Sequence, residues 1–181
     1  MEENREEKKE PIKITIQRLP ASDIDYSKTI EELKDYYKER AERIRNGEKE
    51  LATLDFAMLA YGLDCVEWAK KSFQFDLDLG EGSLLQFQTV LENTAQVIKK
   101  GALPKEKLDG FLKMFTGFYG LMILHNIGGA WVQSSIGPAI EAAGRPVFVM
   151  NCIIRFLNTG AEGESCIGFY GKFKDLCRQA Q

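Results

Sequence analysis

A long uncharged stretch in the second half of the chain constrains the fold more than any other feature. No Asp, Glu, Lys or Arg occurs from Met114 to Ile140, although the 181 residues include 24 basic and 27 acidic ones. A stretch of this length without charge is either buried in the protein or bound by something else. It marks the centre of the fold and the place where a hidden site would lie.

The first part of this stretch approaches the length of a membrane-spanning helix, but its residues favour a buried one. The 19 residues of Met114–Val132 are interrupted by Thr116, His125 and Asn126, and no cluster of Lys or Arg flanks either end. The pair Gly128-Gly129 breaks the helix. We therefore expect a buried helix followed by a strand, and no membrane partner.

Charge and size indicate one globular domain without nucleic acid. The formal net charge is −3 and the pI is about 5.4, which gives no long-range attraction for phosphate backbones. Hydrophobic residues make up 44% and charged residues 28% of the chain, as in ordinary soluble domains. A chain of this size forms a core without a metal or disulfide. We expect a single globular domain over residues 21–181.

The N-terminal segment has a different character. Residues 1–10 contain five Glu and three basic residues without an apolar core, so neither a signal peptide nor a transit peptide is predicted. After them, Ile12, Ile14 and Ile16 alternate with polar residues, as in a half-buried strand. Residues 1–20 are thus predicted to form a flexible acidic arm with a possible edge strand.

The cysteines indicate a reducing compartment. Cys65, Cys152, Cys166 and Cys177 form no Cys-x-x-Cys pair and have no zinc-ligand spacing. This pattern favours reduced thiols in a cytoplasmic protein. The sequence predicts neither a metal site nor a cofactor.

Hydrophobic periodicity predicts an α+β fold that is mostly helical, with five to six helices and a small late antiparallel sheet of two to three short strands. The first predicted helix is capped by Thr29 and ends at Asn46-Gly47, and the second runs from about Glu48 to Lys71. The next two run from Ser83 to Gly101 and from Pro104 through His125. The last two run from Asn151 to Asn158 and onward from Ser165. Turns are predicted at Gly137-Pro138 and Gly144-Arg145-Pro146. Gly117 and Gly120 lie inside a helix, where they would let another backbone approach closely.

One series of motifs resembles a broad group of uncharacterised bacterial domains of unknown function. The series is Phe75-Asp76-Leu77-Asp78, Gly82-Ser83-Leu84, Tyr119-Gly120, His125, Gly128-Gly129-x-Trp131, Pro146, Ile154-x-x-Leu157-x-x-Gly160 and Phe169-Tyr170. It covers roughly residues 72–173 and follows the group's order of Gly, helix, Gly-Gly-x-Trp and Pro-led strand to helix. The group has an acidic residue soon after the position of Gly120, where this chain has Leu121-Met122-Ile123. The resemblance implies a small bacterial cytosolic or accessory protein without a known reaction, and some such domains are suspected immunity or interaction modules.

Four residues are candidates for a binding site, and each also has a structural interpretation. His125, in the last turn of its helix, could donate a proton or hold an anion, or it could cap the helix. Cys166 opens a helix, a position that lowers a thiol pKa and would allow a dyad with His125, but it also lies on an apolar face, as a buried inert thiol does. Trp131 could stack on a ligand or fill a space in the core as a plug. If a ligand binds there, Asn126 would line the same pocket as Trp131.

Two classes of function follow from these features. In the first, the protein is a non-enzymatic interaction module, immunity-like or accessory, whose partner is another protein. In the second, it binds or hydrolyses a small molecule in a pocket near His125 and Trp131. No catalytic residue is assigned. A concave pocket around His125 would favour the second class, and a packed core there would favour the first.

Overall fold

Six α-helices and one four-stranded sheet make up the part of the chain that the computed structural model describes, residues 13–159 and 165–180. The helices are α1 (Ile30–Arg45), α2 (Leu54–Phe73), α3 (Ser83–Lys99), α4 (Lys105–Asn126), α5 (Val149–Thr159) and α6 (Cys166–Arg178). The strands are β1 (Ile16–Arg18), β2 (Ala130–Ser134), β3 (Gly137–Ala142) and β4 (Arg145–Val147). The predicted α+β class with a helical majority is confirmed. The predicted arm at residues 1–10 lies outside the described residues.

The sheet has four strands, so the prediction of two to three was wrong. The strand order is β1-β2-β3-β4, and all neighbouring strands are antiparallel. The additional strand comes from the N-terminal part of the chain, where Ile16 pairs with Ser134 and Arg18 with Val132. The short strand near the N-terminus was predicted as an edge strand, and β1 is an edge of this sheet. Periodicity detects a strand but not its distant partner, which is why the count was too low.

Both predicted turns lie one or two residues from the observed ones. The chain turns at residues 135–136, and Gly137-Pro138 already belong to β3. The second turn is formed by Ala143 and Gly144, whose φ angles are 50° and 71°. Two positive φ angles in succession are typical of the turn type that matches the twist of antiparallel strands.

The second and third helices begin differently from their predicted starts. The helix predicted from Glu48 is interrupted, because a short 3₁₀ turn (Lys49–Leu51) precedes α2 and Thr53 is extended. Ser83 is the first residue of α3 and does not cap it. Its hydroxyl donates to a carboxylate oxygen of Asp78 at 2.6 Å and accepts the backbone N–H of Asp78 at 2.9 Å, so it holds the preceding loop.

The uncharged stretch forms the centre of the core, as predicted. All ten residues from Phe115 to Leu124 in α4 are buried, and α4 packs along α2. The two helices touch where Gly117 faces Gly62. A Cβ atom on Gly117 would lie 2.5 Å from the backbone nitrogen of Gly62 and 2.7 Å from the carbonyl oxygen of Met58. None of the helices within the described residues is long and apolar enough to cross a membrane.

Replacing Gly117 with alanine is expected to lower the free energy of unfolding. The new methyl group would push two backbones apart, and overpacking of this kind costs about 1–3 kcal/mol, offset by about 1 kcal/mol of helix propensity. Gly110 lies in the same helix with open space around its Cβ position, so Gly110→Ala is the matched control and should stabilise the protein. Urea unfolding measures both. Equal shifts for the two variants would rule out the close helix contact as the cause.

Candidate functional site

The C-terminal end of α4 carries two of the predicted site residues. The Nδ1–H group of His125 donates to the carbonyl oxygen of Tyr26 at 2.7 Å, which fixes the proton of a neutral ring on Nδ1. Asn126 donates through Nδ2 to the carbonyl oxygens of Leu79 (2.7 Å) and Met122 (2.9 Å). Both side chains are half-buried and connect the end of α4 to loops from earlier in the chain. His125 therefore bonds a distant loop carbonyl, where the sequence suggested a cap on its own helix.

Trp131 fills a space that a glycine leaves open. It lies in β2 and is 4% exposed, and a Cβ atom on Gly120 would come within 2.2 Å of its Cζ2 atom. Gly120 was predicted to admit another backbone, but it admits this indole ring. Within the described residues, the buried Nε1–H group of Trp131 has no hydrogen-bond acceptor. The burial of the ring against Gly120 is typical of a core residue, because an indole that faces a ligand presents its ring to open space.

Cys166 is buried at the start of α6. It is 1% exposed, and burial raises the pKa of its thiol to about 12. The thiol therefore stays protonated at neutral pH despite its position at a helix N-terminus. Its sulfur contacts Oε1 of Gln88 at 3.9 Å, and its carbonyl oxygen accepts a hydrogen bond from the hydroxyl of Tyr119 at 2.6 Å. All four cysteines are buried.

In the described part of the chain, the four candidate residues are not gathered around one cavity. Asn126 borders a polar depression of about 230 Å³ with Glu81, Lys174 and Arg178. Lys174 and the hydroxyl of Tyr170 both bond Glu81, and the bond from Lys174 is the main cause that lowers the pKa of this carboxyl group. His125, Trp131 and Cys166 make their contacts with separate parts of the fold. Within the described residues, no three His, Cys, Asp or Glu side chains are grouped so that they could hold a metal ion.

A buried arginine forms a polar network that the sequence did not predict. Arg40, on α1, is 5% exposed. Its guanidinium group donates to the carbonyl oxygen of Leu51 from Nε (3.0 Å) and Nη2 (2.9 Å), to the hydroxyl of Thr53 (3.1 Å) and to the carboxylate of Asp23. Burial opposes ionisation of Asp23, but the hydrogen bond from Arg40 holds the pKa of this carboxyl group below its ordinary value.

The same network includes a second buried residue with an ionisable side chain, Asp55. Asp55 accepts hydrogen bonds from the hydroxyls of Ser22 and Thr53 and from the backbone N–H of Phe56 at 3.0 Å. Thr53 thus accepts from Arg40 and donates to Asp55. The network connects the segment before α1 to the second half of α1 and to the start of α2, and this role is structural.

A signal for Arg40 was present in the sequence. Leu33, Tyr37 and Ile44 mark the inner face of α1, and the spacing places Arg40 on that face. An arginine on an apolar face predicts either a snorkelling side chain or a buried partner.

An apolar groove lies between β4, α5 and α6, at a place the sequence did not indicate. It has a volume of about 490 Å³, and we call it the α5–α6 groove. Its main lining residues are Arg145, Val147, Arg155, Phe169, Phe173 and Leu176. The guanidinium of Arg155 lies 5.7 Å from the ring centroid of Phe169. Arg145 is exposed at the rim, and an apolar lining beside this cationic group suits an apolar ligand group that carries a nearby acid.

Comparison with known proteins identifies no relative. No family model, no curated protein and no solved structure matches the chain. The resemblance to the group of bacterial domains therefore stays a prediction.

Proposed function

We propose that the protein is a non-enzymatic interaction module of the cytoplasm, immunity-like or accessory in its role, whose partner is another protein. The observation that carries this proposal is the α5–α6 groove. Protein interfaces combine an apolar centre with a polar or charged rim, and the groove has both. The packed surroundings of His125 and Trp131 also favour this function over a small-molecule pocket at that place.

The groove offers a place for an inserted apolar side chain. Val147 and Phe173 are buried at its floor, while Leu176 is 44% exposed and extends its apolar surface outward. An apolar anchor that fills such a cleft supplies most of the binding energy in many protein complexes. The binding segment of the partner should therefore present a large aliphatic or aromatic side chain.

The edge strand beside the groove, β4, disfavours a partner that binds by extending the sheet. β4 is an outer strand of the sheet, but Pro146 at its centre has no N–H group to donate to an added strand. Arg145 is exposed next to it and attracts negative charge. A partner with an apolar side chain flanked by Asp or Glu fits this surface better than a partner that extends the sheet.

Co-purification from the native host, followed by mass spectrometry, tests the proposal. The wild-type protein should retain a specific protein, and Leu176→Glu and Arg145→Glu should each lose it. Ile136 is 42% exposed in the turn between β2 and β3, so Ile136→Glu is the matched control and should retain the same protein. If Leu176→Glu and Arg145→Glu retain it as well as the wild type does, the groove is not the binding surface.

A further inference from the structure

A second groove, lined by aromatic residues, lies between the ends of α2 and α3 and the start of α4. It has a volume of about 320 Å³, and we call it the aromatic groove. Its apolar lining consists of three half-buried aromatic rings and two aliphatic side chains: Trp68, Phe73, Phe111, Val97 and Leu103. Val97 is 42% exposed. Apolar side chains that stay open in one concave place are typical of a ligand site.

The rings of the aromatic groove are already oriented by one another. Trp68 meets Phe73 and Phe111 edge to face, with ring centroids 5.2 Å and 5.0 Å apart. Because these contacts hold the rings in place, little conformational entropy is lost when a ligand binds. A planar ring system that enters the groove would add further edge-to-face or stacked contacts.

Two polar side chains of the aromatic groove have no partner of their own. Gln96 and Lys100 line the groove and stand four residues apart on α3, which makes them neighbours on the helix surface. Neither side chain forms a hydrogen bond or an ion pair with another residue that the structure describes. By contrast, Asn93 and Thr94 bond to carbonyl oxygens of their own helix. The donors of Gln96 and Lys100 are therefore the polar groups with which a ligand can pair.

Positive charge prevails at this end of the groove. Residues 99–107 include four basic residues and one acidic residue, and none of them is in an ion pair with another described residue: Lys99, Lys100, Lys105, Lys107 and Glu106. Asp109 is already paired with Lys113. On the α2 side, Asp64 is exposed one turn before Trp68. The basic residues outnumber these acids, so the groove attracts a ligand of negative charge.

Lys100 is not needed as a cap for α3. The N–H groups of Gly101 and Ala102 donate to the carbonyl oxygens of Ile98 and Val97 at 2.9 Å and 3.1 Å. The backbone thus closes the end of the helix by itself. The ammonium group of Lys100 keeps its donors for another acceptor.

We propose that the aromatic groove binds a small organic acid. Its apolar ring system would lie against Trp68, Phe73 and Phe111, and its carboxylate would pair with Lys100 and accept a hydrogen bond from Gln96. An ammonium group only donates, so the ligand must offer an acceptor, and a carboxylate makes the stronger, charge-assisted bond. The groove lies at the lower end of the size range of small-molecule sites, which suits a ligand of one or two fused rings.

The acid site and the proposed function use different surfaces. The aromatic groove and the α5–α6 groove share no lining residue in the described part of the chain. The acid site can therefore fail while the partner proposal holds, and the reverse is also true.

Nuclear magnetic resonance of the full chain tests the acid site, with naphthalene-2-carboxylate as the probe. Trp68 and Trp131 are the two tryptophans, and each gives one indole N–H signal. The Trp68 signal should move in a saturable way, with a dissociation constant of about 0.1–1 mM for a probe of this size. The signal of the buried Trp131 should stay in place, and Trp131→Phe identifies it by removing it.

A neutral analogue and two lysine variants test the charge. Naphthalene-2-carboxamide has the same rings without the charge and should bind about three- to fivefold more weakly, the contribution of an exposed ion pair. Lys100→Gln should weaken binding of the carboxylate by the same factor and leave binding of the carboxamide unchanged. Lys99→Gln removes the same charge from the neighbouring residue, which does not line the groove, and should change both affinities less than about twofold.

A variant with a negative charge in the wall tests the location. Val97→Glu should weaken binding of the carboxylate about tenfold or more, because it places two like charges in one groove. Leu85→Glu makes the same change on the same helix at a residue that is 66% exposed and lies outside the groove, so it should bind as the wild type does. Circular dichroism confirms that each variant is folded.

The two proposals separate in the same set of variants. Val97→Glu should still retain the protein partner in co-purification, and Leu176→Glu should still bind naphthalene-2-carboxylate. Loss of both activities in either variant would mean that one surface serves both ligands, and the acid site would not be a separate one.

Several results would overturn the acid site. No movement of the Trp68 signal at about ten times the expected dissociation constant, or equal movement of the Trp131 signal, means that the groove does not take the probe. Equal affinities of the carboxylate and the carboxamide exclude an acid as the ligand class. Equal losses for Lys99→Gln and Lys100→Gln exclude a pair with Lys100. A Val97→Glu variant that binds as the wild type does places the site elsewhere.

Discussion

Trp131→Ala is expected to lower the free energy of unfolding by about 3–5 kcal/mol, the usual cost of truncating a buried aromatic side chain. The indole ring lies against Gly120, which cannot fill the space that the ring would leave. Trp131→Phe should cost much less, because it keeps an aromatic ring there and gives up no hydrogen bond of the indole Nε1. Urea unfolding followed by circular dichroism measures both losses without relying on tryptophan fluorescence.

His125→Gln is the comparison for this prediction. It removes one hydrogen bond, the contact with the carbonyl oxygen of Tyr26, and the loss should be about 1 kcal/mol. The stability of the protein should thus depend strongly on Trp131 and weakly on His125. A melting temperature for Trp131→Ala equal to that of the parent would mean that the ring lines an open pocket, and the search for a small-molecule ligand would then start there.

Arg40→Ala is expected to destabilise the protein by about 2–4 kcal/mol. Its removal takes two side-chain donors from the carbonyl oxygen of Leu51 and one each from the hydroxyl of Thr53 and the carboxylate of Asp23. Arg43 lies on the same helix in an exposed ion pair with Glu48, so Arg43→Ala is the matched control. An exposed pair contributes about 1 kcal/mol at most. Chemical unfolding of both variants measures the difference.

Similar losses for the two arginine variants would show that the network around Arg40 contributes no more than a surface ion pair. In that case the segment before α1 would be held by its apolar contacts, such as those of the buried Ile24.

The parts of the fold that local chemistry determines could be predicted. Thr29 and Glu32 form the capping box at the start of α1, with hydrogen bonds of 3.3 Å and 2.9 Å between each side chain and the other's backbone N–H. The burial of Phe115–Leu124, within the uncharged stretch, followed from its lack of charge. Both features depend on residues close together in the chain, and a sequence displays such features directly.

The parts that depend on distant contacts could not be predicted. The pairing of β1 with β2 and the bond from His125 to Tyr26 each join residues about a hundred positions apart. The sequence interpretations of Trp131 as a core plug and of Cys166 as a buried thiol agree with the structure. The α5–α6 groove could not be foreseen, because it is formed by the placement of three elements and not by a motif in any one of them.

The pairing of β1 with β2 also determines when the fold can be completed. The ribosome makes β1 before α1 to α4, and its only partner strand within the described residues follows after them. Closing so long a loop costs conformational entropy, and this cost is offset only when the contacts between β1 and β2 form. We therefore expect β1 to join the sheet late in folding. Until then the backbone of β2 has an open edge in one of the least charged parts of the chain. A nascent chain stalled at that stage would be prone to aggregate, and a chaperone that covers the edge of β2 would protect it.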